Sequence, residues 1–264
     1  MDQPLLSRRE GAVLILTNNN PSARNALSPE LYEAIRQALR EAAADAGVGA
    51  VVLTGEGGHF CSGGDLRQLA TRRQLSEEQR HERLADLASL IRAIRDFPKP
   101  VIAAVEGACA GAGLSLALAC DMLVAAKNAV FSVAYVKIGL TPDGGATAFL
   151  SEFVSRQVLT ELCLMGERLD GERMNALGCV NRLTDAGQAL PAALALAAQI
   201  ATGPEQSMAA IKALCHAAQH NSLDEQLQLE SRYMVAAQVS EESREGIAAF
   251  LEKRAPDYAK LRGE

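Results

Sequence analysis

The chain has 264 residues, 48% of them hydrophobic and 22% charged, the balance of a globular protein able to bury one large core, or one core with an appended helical piece. Its formal net charge of -6 speaks against a nucleic-acid partner, since a polyanion binder normally carries a basic face that shows in the total. Six scattered cysteines with no C-x-x-C pair, and no clustering with the four histidines, lead us to expect no metal, no disulfide framework and a reducing compartment, the cytoplasm.

In chain order, residues 12–17 and 50–54 are β-rich apolar runs bounded by turn formers. Between them Ser28-Pro29-Glu30 opens a stretch that carries Leu31, Ile35, Ala38 and Leu39 on one face, which predicts a capped helix between two strands. The first apolar run, 12–16, is too short for a signal-peptide core. Residues 67–83 are charged and polar, and read as a solvated face or a loosely held helix beside a site. The alternation resumes with expected strands at 100–105, 121–125 and 130–134 and a short helix at 114–119. The pattern predicts an α/β core with mostly parallel pairing. The uncharged apolar stretch 107–120 falls short of the ~18 residues of a membrane span, so no membrane partner is expected. Beyond residue 187 the segments 190–202, 204–219, 223–239 and 241–254 all read as helices, and the expected organisation is a core over 1–187 with a helical region over 188–264.

Two glycine-bearing segments follow predicted strands. In His59-Phe60-Cys61-Ser62-Gly63-Gly64-Asp65-Leu66, adjacent glycines let backbone approach a ligand and turn N–H groups toward one point, although a plain turn has the same composition. In Glu106-Gly107-Ala108-Cys109-Ala110-Gly111-Ala112-Gly113-Leu114 a run of small residues leads into a helix, whose N-terminus offers free N–H groups to a developing oxyanion. Close helix-sheet packing is the other reading of that segment. No G-x-G-x-x-G opens a helix after a strand and no glycine precedes a lysine, so dinucleotide and P-loop sites lose support. Gly113-Leu114-Ser115-Leu116-Ala117 lacks the last glycine of a nucleophile elbow.

Taken together and in order, Arg24-Asn25-Ala26-Leu27, the segment 60–66, Lys99-Pro100-Val101-Ile102-Ala103-Ala104-Val105 with Gly107, Cys120-Asp121, the segment 139–145 and Phe250-Leu251-Glu252-Lys253-Arg254-Ala255-Pro256 resemble the crotonase superfamily, the enoyl-CoA hydratase/isomerase family, over essentially the full length. The resemblance implies a crotonase-type ββα spiral core with a C-terminal all-helical oligomerisation region, and a homotrimer or dimer of trimers. It implies an acyl-CoA thioester substrate with no separate cofactor, CoA being part of that substrate. The implied oxyanion hole is formed by the backbone N–H groups of Ser62 and Ala112. The substrate is then expected against Ala26, Gly63, Gly64, Asp65, Leu66, Gly111 and Tyr135. Arg24 and Arg67 are expected toward the CoA phosphates, and Phe250 and Lys253 at the adenine-nucleotide end, reached from a neighbouring subunit.

The two positions where family hydratases carry glutamates hold Ser115 and Tyr135 here. A carboxylate instead appears in Gly139-Leu140-Thr141-Pro142-Asp143-Gly144-Gly145, where the isomerase-like branch, including Δ3-Δ2-enoyl-CoA and ring-epoxide phenylacetyl-CoA isomerases, places its base. Pro-Asp-Gly is also a turn sequence in its own right. Moving a double bond needs one base that shuttles a proton, whereas hydration uses two acids, so Asp143 points to an isomerase, with a hydratase or a catalytically silent acyl-CoA binder as alternatives. A dehalogenase ranks behind these, because that branch orients its aspartate with a tryptophan and this chain has none. A base of this kind needs an apolar pocket to lift its pKa above about 3.9; Ile138, Leu140 and Phe149 are the nearby candidates for its walls.

Overall fold

The computed structural model describes residues 3–262. It begins with a strand that the apolar pattern does not announce, β1 (Leu5–Glu10), in which only Leu5 is buried, so no alternation marks it. The chain reverses at Gly11, whose φ of 57° suits glycine, into β2 (Val13–Asn18). It continues through α1 (Pro29–Ala44), β3 (Ala50–Gly55), α2 (Leu66–Thr71), α3 (Glu77–Arg95), β4 (Val101–Val105), β5 (Ala108–Ala110), α4 (Ala112–Leu118), β6 (Met122–Ala126) and β7 (Val130–Ser132). After these come α5 (Ala146–Ser151), α6 (Arg156–Met165), β8 (Leu169–Asp170), α7 (Gly171–Ala176) and β9 (Arg182–Thr184), then the helices α8 (Ala189–Ile200), α9 (Glu205–Ala217), α10 (Leu223–Gln238) and α11 (Glu241–Leu251).

One sheet runs β1-β2-β3-β4-β6-β9 and a smaller one β5-β7-β8. In the larger sheet every pairing is parallel except that of β1 with β2, as expected where helices connect successive strands. Its central strands are buried on both faces, and the period of two sorts their side chains. Val51, Leu53, Val101, Ala103 and Val105 enter the main core with Leu31, Ile35 and Leu39 of α1 and Leu87, Leu90, Ile91 and Ile94 of α3. Ala50, Val52, Ile102 and Ala104 enter a second cluster on the opposite face, where α8 presents Ala189, Ala193 and Ala197, followed by Ala201. That four-residue spacing lays methyl groups along one side of the helix, and so small a side chain lets the helix axis sit close to the sheet. α8 lies beyond residue 187, yet it covers the second face of the sheet.

α1 starts as its sequence predicts, with Pro29 in the first turn and the Ser28 hydroxyl accepting from Leu31 N–H. The charged stretch 67–83 differs from the expectation of a loosely held helix. It divides into α2, a 3-10 turn at Arg72–Gln74, and the first half of α3, which opens with a capping box between Ser76 and Gln79. The second half of α3 is anchored in the core, so the exposed first half projects from a fixed base. The strand expected over 130–134 stops at Ser132, and a 3-10 helix at Ala134–Ile138 takes its place. Among the described residues α9 and α10 bury no side chain completely, and Ile211, Leu227, Met234, Val235 and Phe250 of the last three helices are exposed. No helix of the described residues is long and apolar enough to cross a membrane.

Two buried polar side chains join distant segments. The Lys99 ammonium donates to the carbonyls of Ala42 (3.0 Å) and Asp45 (2.8 Å), at the C-terminus of α1, and lies 3.4 Å from the Glu205 carboxylate; the negative end of the helix suits a cation. Asn25, fully buried with φ 58°, donates from Nδ2 to Glu56 O (2.8 Å) and His59 O (2.6 Å), and its Oδ1 accepts from Asn20 N–H (2.9 Å). It thereby fixes the loop leading into the first glycine-bearing segment. Because three buried bonds end on one amide, at about 1 kcal/mol each, and alanine tolerates positive φ less well than asparagine, Asn25→Ala should destabilise the fold by about 3 kcal/mol. A urea titration followed by circular dichroism measures this; an unchanged midpoint would show that the loop has another anchor.

Candidate active site

The two glycine-bearing segments leave β3 and β4 and meet through main-chain bonds. Cys61 pairs with Cys109 in a parallel bridge: Cys61 N–H donates to Ala108 O (2.9 Å) and Ala110 N–H to Cys61 O (3.0 Å). Gly113 packs directly beneath, where a Cβ would stand 2.5 Å from Cys61 O, and Gly63 lies over Ala110, where one would stand 2.7 Å from Ala110 O. Both positions therefore exclude a side chain. Gly111, with φ 52°, turns the chain into α4, and the N–H of Ala112, the first residue of that helix, makes no hydrogen bond among the described residues.

The first segment corrects the expectation for Ser62. Its N–H donates to Arg24 O (3.0 Å) and its hydroxyl to Ala23 O (3.0 Å), so it has no main-chain proton left for an oxyanion. Gly63 N–H points at Cys61 Sγ (3.4 Å). The N–H of this glycine pair that remains unengaged among the described residues is that of Gly64, which lines the same cavity as Ala112.

That cavity has a volume of about 810 Å³. Of the residues expected at the site it brings together Ala26, Ser62, Gly63, Gly64, Asp65, Leu66, Gly111, Ala112, Tyr135 and Asp143. It does not include Arg24, which acts through its backbone carbonyl, or Arg67, whose N–H donates to the capping carboxylate of Asp65 (2.8 Å). Phe250 and Lys253 are exposed at the end of α11. Ile138 and Leu140 line the cavity as expected, but Phe149 does not. Its ring is buried in the core against Gly145, because α5 starts immediately after the Asp143 turn and carries it inward.

Sequence reasoning missed Tyr32, Leu69, Arg72, Arg73, Arg80, Arg83, Leu84 and Leu87, all of which line the cavity. Tyr32 follows Leu31 on the buried face of α1 and carries no separate signal. The arginines lie within the charged stretch whose composition resembles any solvated face.

Asp143 is held by two hydroxyls. Tyr135 Oη donates to Asp143 Oδ1 (2.8 Å), and Ser115 Oγ donates to the Asp143 carbonyl (3.0 Å). Positive φ at Gly144 (59°) and Gly145 (85°) completes the turn, and Gly144 sits against Ser115, where a Cβ would lie 3.1 Å from the serine Cβ. Burial pushes the Asp143 carboxyl above the usual range, although the Tyr135 hydrogen bond and the Arg72 charge act to lower it. Burial, then the Asp143 charge, raises the Tyr135 phenol well above its ordinary value, so Tyr135 stays a neutral donor. Ser115 is fully buried and no histidine lines the cavity among the described residues, which leaves no nucleophile–base pair of the hydrolase type. Burial also pushes the Cys61 thiol up to about 12, so it is not a nucleophile near neutrality. No group of three or more metal-ligating side chains forms among the described residues.

Fold and site together define a protein that pairs two backbone donors with one buried carboxylate, and the enoyl-CoA hydratase/isomerase family model matches residues 8–261; the chain belongs to this family and is an enzyme of it. Among its relatives is the 1,2-epoxyphenylacetyl-CoA isomerase of Escherichia coli (strain K12), 35% identical over 96% of this chain and 97% of that protein. The crystal structure of an enoyl-CoA hydratase from Polaromonas sp. JS666 is 45% identical and superposes with a TM-score of 0.94 over 96% of this chain and 98% of that one. That of an enoyl-CoA hydratase from Mycobacterium smegmatis is 32% identical, with a TM-score of 0.91 over 97% and 99%.

The raised pKa has a consequence for stability. A carboxyl whose folded-state pKa exceeds its unfolded value of about 3.9 binds its proton more tightly when folded, so its ionisation costs stability as pH rises through and above that range, and the full cost is present at neutral pH. Asp143→Asn should therefore melt at a higher temperature than the wild type at pH 7, and the gain should vanish below about pH 3.9. Thermal unfolding at both pH values reads the difference; a variant that melts lower at pH 7 contradicts the assignment of burial as the dominant effect.

Proposed function

We propose that the chain moves a double bond in an enoyl-CoA from the 3- to the 2-position, with Asp143 as the base. The observation that carries this reading is the division of labour among the polar groups of the cavity. Asp65 and Asp143 are the carboxylates that line it, and Asp65 is occupied in capping α2. Ser115 and Tyr135, where the family's hydratases have glutamates, spend their hydroxyls on positioning Asp143. One carboxylate serves a reaction in which the proton leaves one carbon and arrives at another.

In the proposed sequence the thioester carbonyl oxygen accepts from the N–H groups of Gly64 and Ala112. The Asp143 carboxylate takes a proton from C2, the electron pair passes into the thioester as a dienolate, and both donors stabilise the oxyanion. The Asp143 carboxyl then returns the proton to C4, leaving the conjugated 2-enoyl thioester and a carboxylate ready for the next turnover. Backbone donors of this kind contribute about 10²–10³ in rate each. The apolar walls formed by Leu69, Leu87, Ile138 and Leu140 keep the carboxylate poorly solvated and hence basic. The exposed apolar side chains of the C-terminal helices support the homotrimer or dimer of trimers that the family resemblance implies, and the substrate chemistry supports no separate cofactor.

A hydratase is the second reading, favoured by the names of the solved relatives. Gain of conjugation from a 3-enoyl-CoA supports isomerisation, and loss of conjugation from a 2-enoyl-CoA supports hydration. A silent binder would take up acyl-CoA without exchanging its α-proton with deuterated solvent. For the isomerase, Asp143→Asn should lower turnover by about 10²–10⁴; full activity in that variant ends the assignment of the base. Activity should rise with pH along an acid limb lying above the ordinary carboxylate range, because the ionised form is the active one. Tyr135→Phe removes a hydrogen bond that favours the carboxylate, so the limb should move to higher pH; a kcat profile that stays in place or moves to lower pH refutes that role for Tyr135.

A further inference from the structure

The wall of the cavity opposite Ala23 and Ala26 is built from α2, the 3-10 turn after it and the start of α3. It carries four arginines, Arg72, Arg73, Arg80 and Arg83, flanked along the chain by Leu69, Leu84 and Leu87. Four guanidinium groups on one wall concentrate positive charge at the cavity, which favours an anionic group of a ligand there. None of the four makes an ion pair or a side-chain hydrogen bond among the described residues. Asp86 of α3 is taken by Arg36 at 2.6 Å, and Glu77, Glu78 and Glu82 of the same helix do not line the cavity. Lys137 adds a fifth cation, so the lining holds five cations against the two carboxylates Asp65 and Asp143.

Arg72 is the innermost of the set: it is half-buried, whereas Arg73, Arg80 and Arg83 are exposed. It lines the cavity together with Tyr32 and Asp143, and its charge acts on both groups. A guanidinium matches a carboxylate with two parallel hydrogen bonds, and the leucines of the same wall suit the methylene chain leading to it.

We infer that Arg72, backed by Arg73, Arg80 and Arg83, forms a subsite for an anionic group at the far end of the acyl moiety, and that the preferred substrates are acyl-CoAs bearing a second carboxylate. This rests on the acyl-CoA reading above and narrows it. The same oxyanion chemistry is offered by the phosphates of CoA, and the test separates the two sources.

Calorimetry with matched pairs of saturated acyl-CoAs, one ending in methyl and the other in carboxylate, measures the subsite without any reaction. The wild type should bind the carboxylate-ended member about tenfold more tightly or better, ~1.4 kcal/mol, and the ratio should collapse toward one in Arg72→Gln. Equal affinity for the two members in the wild type overturns the proposal whether or not the variant folds. An Arg72→Gln variant that weakens both thioesters and free CoA by one common factor also overturns it, and assigns the arginines to the phosphates. Binding without α-proton exchange would leave the subsite standing and remove the isomerase. Failure of every thioester to bind would remove both.

Discussion

The main-chain pairing of Cys61 with Cys109 is the contact on which the rest of the site depends. Two hydrogen bonds of ordinary length zip together loops that leave neighbouring parallel strands. In net free energy each contributes only about 1 kcal/mol. Their importance is geometric, because they tie together the two segments that bring Gly64 and Ala112, each with an unengaged N–H among the described residues, to one cavity. The close packing explains the residues around it. Gly113 and Gly63 have no room for a Cβ, and small, buried thiols fill the space between the strands without adding a charge.

The carboxylate is organised from the helix that carries Ala112. α4 contributes Ala112 at its start and Ser115 one turn later, so a single short helix aims a backbone donor into the cavity and ties down the Asp143 loop. Tyr135 reaches the loop from the 3-10 turn after β7, and its phenol remains a donor because burial and the adjacent carboxylate oppose its ionisation. Burial raises Asp143 while Tyr135 and Arg72 pull it down. A carboxyl raised above the usual range therefore depends on burial, and an anion that pairs with Arg72 would weaken one of the effects holding it ionised.

Elements with a strong local signature are legible in the sequence. The runs in β2, β3 and β4 are continuous because both faces of these strands are covered, the Ser28-Pro29 start of α1 is capped, and of the four C-terminal helices α10 and α11 carry serine caps of their own. β1 is not legible, since one buried residue in six leaves no pattern. The end of β7 is not legible either, because Val133 and Ala134 are compatible with a strand and only the packing of Tyr135 turns the chain. Composition cannot separate residues 67–83 from a solvated face, because what matters is that their leucines and arginines face a cavity made by other elements.

The sequence by itself determined the family, the parallel α/β order, the two glycine-bearing segments, the aspartate in its turn and the replacement of both hydratase glutamates. These follow from residue identity and from spacing along the chain, which are local. Tertiary structure decided which N–H of the first segment is unengaged, since the Ser62 N–H donates to the carbonyl of Arg24, a residue on a separate loop. It also decided that Phe149 enters the core and that Arg72 lines the same cavity as Asp143. Hydrogen-bond partners and side-chain surroundings are set by contacts between remote segments, and those exist only once the two loops are zipped together and the helices have closed over the sheet.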